Sequence, residues 1–279
     1  MIPFDFEYYR PSTFEEAVRT FHTLDNSGKN VIFLSGGTEF ITMARMSHVS
    51  ADAVIDLKGI AECQKLEIRG EKVVIGSAVT LNKIADTNIY PLLGQKLKGI
   101  ADHTSRNKIT LGGNLQSKLI YREAVLPLLL AEATIKVAGS NGIEFFPIAE
   151  VFNQTLNLKH GQFLMQVLVD REYTELPYIS LKKTKMSKVG YPIVSLAAFA
   201  KDKKICAAFS GVCEYPFRSE QIEEILNDFS IPLKDRIMEA IKLLPSPIVN
   251  DIWASAEYRE FVFQNTIQEM LYELEGKIS

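Results

Sequence analysis

The chain has 279 residues, room for one large domain or two modest ones, and with 47% apolar and 23% charged residues it has ample material for a core. Lys and Arg number 31 against 34 Asp and Glu, a net charge of −3 that argues for neither a nucleic-acid nor an anionic-membrane partner. No apolar run approaches the roughly 18 residues of a membrane span, and Met1-Ile2-Pro3-Phe4-Asp5-Phe6-Glu7 does not read as a signal peptide, so a cytoplasmic protein is expected.

The first helix signal is Pro11-Ser12-Thr13-Phe14-Glu15. Ser12 and Glu15 have the spacing of a capping box, and Phe14, Ala17, Val18 and Phe21 repeat at helical intervals. Asn26-Ser27-Gly28 breaks the chain before a short apolar strand at 31–34. A helix over 39–46 and a second strand at 53–57 complete a helix, strand, helix, strand opening. A strand follows at 73–76, and Thr80 is placed to cap a helix from Leu81. Residues 126–133 read as helix, 134–137 and 163–169 as strands. Beyond 172 the texture changes: a basic run from Lys182 to Lys188 leads into strands at 193–200 and 204–210. Three helices then close the chain, the second marked by Leu233, Ile237, Ala240, Ile241 and Leu244, the third by Ile267, Met270, Leu271 and Leu274. The pattern is α+β with a boundary near 170.

The three cysteines, Cys63, Cys206 and Cys213, and four histidines, His22, His48, His103 and His160, form no CxxC, HxxxH or HExxH arrangement. An iron–sulfur cluster usually takes four thiolates, so none is expected on this chain; a zinc site built from scattered residues is the remaining metal alternative. Cys206 and Cys213 read as small buried apolar residues, and no disulfide framework is expected. No His/carboxylate or Ser/His constellation is visible, so no catalytic residue is assigned.

Two segments carry chemistry. In Phe33-Leu34-Ser35-Gly36-Gly37-Thr38-Glu39 a strand runs into a Gly-Gly turn and a helix start. Glycines let the backbone approach a ligand, and N–H groups at a helix N-terminus favour phosphate. Thr110-Leu111-Gly112-Gly113-Asn114-Leu115 reads as a second Gly-Gly turn. Each pair alone also reads as a tight turn needing φ > 0. Neither matches Walker A or GxGxxG, so a P-loop NTPase and a Rossmann dehydrogenase are unsupported. A pyrophosphate clamped between two such turns needs no lysine, because backbone donors suffice.

The order of several segments resembles the FAD-binding (medium) subunit of the molybdenum hydroxylases, the xanthine dehydrogenase and carbon monoxide dehydrogenase family. They are Phe6-Glu7-Tyr8-Tyr9-Arg10-Pro11-Ser12, Glu15-Glu16-Ala17-Val18, Ser35-Gly36-Gly37-Thr38-Glu39, Ile55-Asp56-Leu57 and Ile75-Gly76-Ser77-Ala78-Val79-Thr80. The strongest is Arg106-Asn107-Lys108-Ile109-Thr110-Leu111-Gly112-Gly113-Asn114, and Ser255-Ala256-Glu257-Tyr258-Arg259 fits the family's C-terminal domain.

The resemblance implies an α+β fold: an FAD-binding domain of the vanillyl-alcohol-oxidase (PCMH) type over 1–171, in subdomains of about 1–57 and 58–171. A smaller C-terminal domain of the carbon monoxide dehydrogenase flavoprotein type follows over 172–279. It implies FAD held extended, with Phe33, Leu34, Ser35, Gly36, Gly37, Thr38, Glu39 and Phe40 wrapping the pyrophosphate. Thr110, Gly112, Gly113 and Asn114 close on it, Ile100 and Leu164 form apolar wall, and Lys182 sits near the flavin ring. A solvated place in the basic run is the alternative for Lys182. Many members continue with Ser-Pro and then an Asp that helps hold FAD. Here the stretch is Gln116-Ser117-Lys118-Leu119-Ile120-Tyr121-Arg122-Glu123, so Glu123 takes the Asp position and the proline is absent.

The implied role is electron transfer. A molybdopterin-binding large subunit hydroxylates a substrate, first expected to be a purine, and a [2Fe-2S] small subunit passes electrons to FAD and on to NAD+ or another acceptor. The alternatives are an assembly subunit that has lost its flavin and a free-standing flavin oxidase.

Overall fold

The computed structural model describes residues 1–187 and 190–277. Its elements begin β1 (Glu7–Tyr9), α1 (Phe14–Asn26), β2 (Val31–Leu34), α2 (Thr38–Arg45), β3 (Ala53–Asp56), β4 (Leu66–Arg69), β5 (Lys72–Gly76) and α3 (Leu81–Thr87). The middle of the chain forms α4 (Pro91–Lys98), α5 (His103–Arg106), α6 (Leu111–Gln116), α7 (Val125–Leu130), β6 (Thr134–Gly139), β7 (Gly142–Pro147), α8 (Ile148–Val151), β8 (Phe152–Asn153), β9 (Thr155–Leu156) and β10 (Phe163–Asp170). The remainder is β11 (Tyr178–Thr184), β12 (Pro192–Lys201), β13 (Lys204–Ser210), β14 (Phe217–Arg218), α9 (Glu220–Leu226), α10 (Leu233–Lys242) and α11 (Ala256–Glu275). Among the described residues, no helix is long and apolar enough to cross a membrane.

These elements form two compact units, and neither is one continuous stretch. The first comprises Met1–Ile89, His103–Ser117 and Ala133–Asp170; the second takes Tyr90–Asp102, Lys118–Glu132 and everything from Arg171.

The first unit holds two sheets. In the smaller, β3 lies between β1 and β2 and runs parallel to both. All four residues of β3 are buried, as expected of a central parallel strand, and its Ile55 shares one core with Ala17, Val18 and Phe21 of α1. The larger sheet is antiparallel, in the order β4-β5-β10-β6-β7. The expected capping box exists one residue later than the sequence spacing suggests. Thr13 is the N-cap, its hydroxyl accepting from Glu16 N–H, and the Glu16 carboxylate accepts from Ser12 N–H at 2.8 Å.

The second unit is a four-stranded antiparallel sheet, β11-β12-β13-β14, packed with α4, α7, α9, α10 and α11. Nine of the ten residues of β12 are buried, which requires cover on both of its faces. Leu196, Phe209, Phe263, Ile267 and Met270 lie in the core on the α11 side. The Ser255–Arg259 segment has a structural role. Ser255 caps α11 by accepting from Tyr258 N–H, and Arg259 is wholly buried.

Several expectations need correction. The second glycine pair is the first turn of α6, capped by Thr110, and not a reverse turn. The basic run begins inside a strand, since Lys182 and Lys183 belong to β11, while Lys188 lies outside the described residues. Cys63 and Cys213 are buried, but Cys206 is only partly so. Strands β1, β4, β7 and β11 had no counterpart in the sequence pattern.

Candidate functional site

The loop after β2 stands at the carboxyl end of a parallel strand and opens a helix, the place where such sheets bind anionic ligands. Gly37 makes the transition with φ +74°, a left-handed conformation that glycine adopts without cost, and it is the N-cap of α2. The helix has no side-chain cap; its first backbone bond runs from Ile41 N–H to Gly37 O at 2.9 Å. The amides at Thr38, Glu39 and Phe40 therefore form the positive end of the helix dipole, with no Ser, Thr or Asp side chain at the N-cap.

Thr110 ties this loop to α6. Its hydroxyl donates to Ser35 Oγ at 2.9 Å and accepts from both Gly36 N–H and Gly113 N–H at 3.2 Å. Ser35 Oγ in turn donates to Ser77 O. The glycines serve these contacts directly. A Cβ on Gly36 would lie 2.3 Å from Lys108 O, and one on Gly112 would lie 2.8 Å from Ser77 Cβ. Gly113 is exposed, and a Cβ there would meet only Thr110 Oγ1, at 3.1 Å. Asn114 is partly buried, and its Oδ1 is buried with no hydrogen-bond partner.

Phe33 does not line this loop. Its ring, half-buried, stacks on Phe21 at 5.0 Å and packs against Phe163 at 4.8 Å, at the edge of the core of the unit. Phe40 contacts Phe6 edge-on. Leu164 is buried in β10 beside a bulge, where the register with β6 shifts between Leu164 and Gln166.

Glu123 and Lys182 meet within the second unit. Lys182 Nζ lies 2.8 Å from Glu123 Oε2 and donates to Gly99 O at 2.7 Å, next to Ile100. With its side chain only 14% exposed, Lys182 is not a solvated member of a basic run. The other carboxylate oxygen, Glu123 Oε1, accepts from Ser195 Oγ at 2.6 Å. Ser195 Oγ accepts from Lys96 Nζ, which also donates to Leu181 O and Leu196 O. Lys96 is 2% exposed, and three acceptors for three N–H donors suit its ammonium form.

Burial pulls the Lys96 ammonium down to about 8, against the attraction of Glu123. The unfolded chain therefore holds this proton across a window where the folded chain has released it, and Lys96 adds stability as pH rises from about 8 toward its ordinary value. The stability difference between wild type and Lys96→Met is expected to grow by up to about 1.4 kcal/mol per pH unit above that point. Urea titrations at pH 7 to 9.5 measure it; a pH-independent difference would sink this expectation.

Sequence reasoning missed Lys58, Lys96, Ser77 and Ser195 as parts of these arrangements. Two of them carried a signal: Ser77 lies inside the Ile75–Thr80 segment, and Lys58 stands directly after Ile55-Asp56-Leu57. Among the described residues, no group of three or more His, Cys, Asp or Glu is placed to hold a metal ion.

The family described as FAD binding domain in molybdopterin dehydrogenase matches over residues 4–170. The nicotinate dehydrogenase FAD-subunit of Eubacterium barkeri is 24% identical over 298 residues, covering 98% of each chain. The glyceraldehyde dehydrogenase medium chain of Sulfolobus acidocaldarius is 25% identical over 281 residues, covering 94% of this chain and 95% of that one. Among solved structures, carbon monoxide dehydrogenase from Hydrogenophaga pseudoflava has the same fold, with a TM-score of 0.86 over 98% of both chains at 22% identity.

Proposed function

The chain belongs to the family of FAD binding domains in molybdopterin dehydrogenases, and from that we propose that it is the FAD-carrying medium subunit of a molybdenum hydroxylase complex. One observation carries the reading to particular residues. Inside the matched span, an uncapped helix N-terminus at a left-handed glycine and the Thr110-capped start of α6 share one hydrogen-bonded hub. These groups fit a pyrophosphate through the amide donors at the start of α2, which have a helix dipole behind them and no side-chain cap in front.

In this reading Ser35, Gly37, Thr38, Glu39 and Phe40 offer backbone donors to the phosphates, Gly36 wraps them with its own N–H held by Thr110, and Gly112, Gly113 and Asn114 present the start of α6. Thr110 sets the loop and the helix in register. Phe33, Leu34 and Leu164 support the loop from the core. In the second unit, Lys182 is the cation assigned to the flavin ring, with Ile100 beside it; Glu123, held by Ser195 and Lys96, keeps the Lys182 ammonium in one place. The segment over 172–279 is assigned to the C-terminal domain of the carbon monoxide dehydrogenase flavoprotein type.

Bound FAD supplies the exchange between single electrons from a [2Fe-2S] partner and a two-electron acceptor, for which NAD+ is proposed. The partners are a molybdopterin-binding large subunit and a [2Fe-2S] small subunit. For the substrate we propose an N-heterocycle, the class of the nicotinate named for a relative aligned along 98% of both chains. A xanthine-like purine is the narrower form of that proposal and rests on the resemblance alone.

The test is to purify the chain with the proteins that accompany it, record the visible spectrum, and count FAD released on denaturation. About one FAD per chain is expected, reducible by NADH. A chain that carries no flavin and takes up none when FAD is added would falsify the reading.

A further inference from the structure

We propose that Lys58 is a positioning residue for the Gly36–Gly37 loop, locking the single peptide unit whose orientation decides which way that loop presents its N–H groups. The proposal rests on the FAD reading given above. The Ser35 carbonyl and the Gly36 N–H are the two ends of one peptide. Lys58 Nζ donates to Ser35 O at 2.6 Å, and Gly36 N–H donates to Thr110 Oγ1 at 3.2 Å. Rotating that peptide would break both bonds. The lock matters because glycine permits both signs of φ, so a Gly-Gly sequence alone leaves neighbouring peptides free to turn over.

The ammonium is itself held firmly. Lys58 follows β3 in a short 3₁₀ turn, Leu57–Gly59, and Asp56 Oδ1 accepts its backbone N–H at 2.9 Å and pairs with Nζ at 2.8 Å. Tyr8 in β1 donates its hydroxyl to the other oxygen, Asp56 Oδ2. Gly59 lets this turn lie against Pro11, since a Cβ there would stand 2.2 Å from Pro11 O. Asp56 is 2% exposed, and a buried carboxylate needs a partner. Burial works to raise its carboxyl, but hydrogen bonds from Lys58 and Tyr8 outweigh that and hold it below the usual carboxylate range.

A pyrophosphate seated on backbone donors alone needs no lysine. The structure adds one behind the loop, reaching it through a carbonyl. If Lys58 served only to neutralise Asp56, its removal would change folding stability and leave the phosphates untouched. If it positions the peptide, its removal is felt at the phosphates.

The experiment uses the full-length chain as wild type, Lys58→Met, Lys58→Arg, and the double variant Asp56→Asn with Lys58→Met, which removes the buried carboxylate together with its cation so that folding is kept. FAD affinity is measured by flavin fluorescence, the bound pyrophosphate by ³¹P NMR, and the stability of the apo chain by thermal unfolding. The expected result is an affinity about 10- to 100-fold weaker in both variants lacking the cation, the scale of one hydrogen bond to a charged group. Their ³¹P resonances shift while the visible flavin spectrum holds, and Lys58→Arg recovers most of the affinity. Binding within twofold of wild type and unmoved ³¹P lines in the double variant would overturn the proposal. A wild-type chain that binds no FAD overturns the reading beneath it instead.

Discussion

Gly36→Ala is expected to destabilise the first unit by about 3 kcal/mol or more and to abolish FAD binding, whereas Gly113→Ala is expected to keep the fold and lose affinity for FAD. The two glycines sit on either side of the same Thr110 hydroxyl and fail for different reasons. A methyl on Gly36 lands 2.3 Å from the Lys108 carbonyl oxygen and 3.1 Å from Thr110 N, both backbone atoms. Backbone cannot swing aside as a side-chain end can, so the 35–37 loop and the 108–110 segment must part. The Gly36–Thr110 hydrogen bond and the bond from Thr110 to Ser35 part with them. At Gly113 the methyl meets only a hydroxyl, on an exposed face in the first turn of a helix. Alanine there gains up to about 1 kcal/mol of helix propensity, which offsets the crowding. What it takes away is room over the exposed Cα, and that is felt only by a ligand. Urea unfolding and flavin titration of the two variants separate the cases. A Gly36→Ala chain as stable as wild type, or a Gly113→Ala chain that binds FAD unchanged, would contradict the geometry.

In the second unit, Arg259→Met is expected to cost about 3–5 kcal/mol. The guanidinium is 0% exposed and its donors are distributed widely. Nε donates to Val249 O at 3.0 Å, Nη1 to Ile193 O at 2.7 Å and Gly211 O at 2.8 Å, and Nη2 to Asp251 Oδ1 at 2.8 Å. One side chain thus fastens α11, β12, the loop after β13 and the 249–251 segment. Methionine matches its bulk but leaves three carbonyls without a donor and Asp251 without its cation. Lysine does little better, since a single ammonium cannot span acceptors that the planar fork reaches on different sides. A loss below about 1 kcal/mol for Arg259→Met in chemical denaturation would show that water or relaxation replaces these bonds.

The elements read from the sequence are those whose own pattern suffices. The apolar spacing of α1, the runs of β2, β3, β10, β12 and β13, and the stripes of α10 and α11 are local signals that survive into the structure. Strands β1 and β4 escaped because three or four residues with charged members make no run; they exist as strands because β3 and β5 offer edges. Strand β11 escaped because Lys182 and Lys183 look solvated until Glu123 and Glu269 are seen beside them. The glycine pairs were legible as a candidate site only, and what the sequence could not give is that their bare Cα atoms face other backbone at Gly36 and Ser77 at Gly112. Lys96 was invisible: in a helix reading Pro91-Leu92-Leu93-Gly94-Gln95-Lys96 it resembles any surface lysine, and only the acceptors brought from 181, 195 and 196 set it apart.

The interleaved make-up of the two units bears on how the protein is made. The stretches Tyr90–Asp102 and Lys118–Glu132 leave the ribosome well before the sheet they pack into. Helix α7, whose Val125, Leu126, Leu128 and Leu130 all end fully buried, waits about sixty residues for β12 to be translated. At ~5–20 residues per second that is several seconds with an apolar helix and a lysine that will end in the core both bare in solvent. The first unit can close once residue 170 has emerged, but only with these two loops hanging from it. A chain stopped near 171 would be left in that condition permanently, a nascent-chain intermediate with an open claim on chaperones.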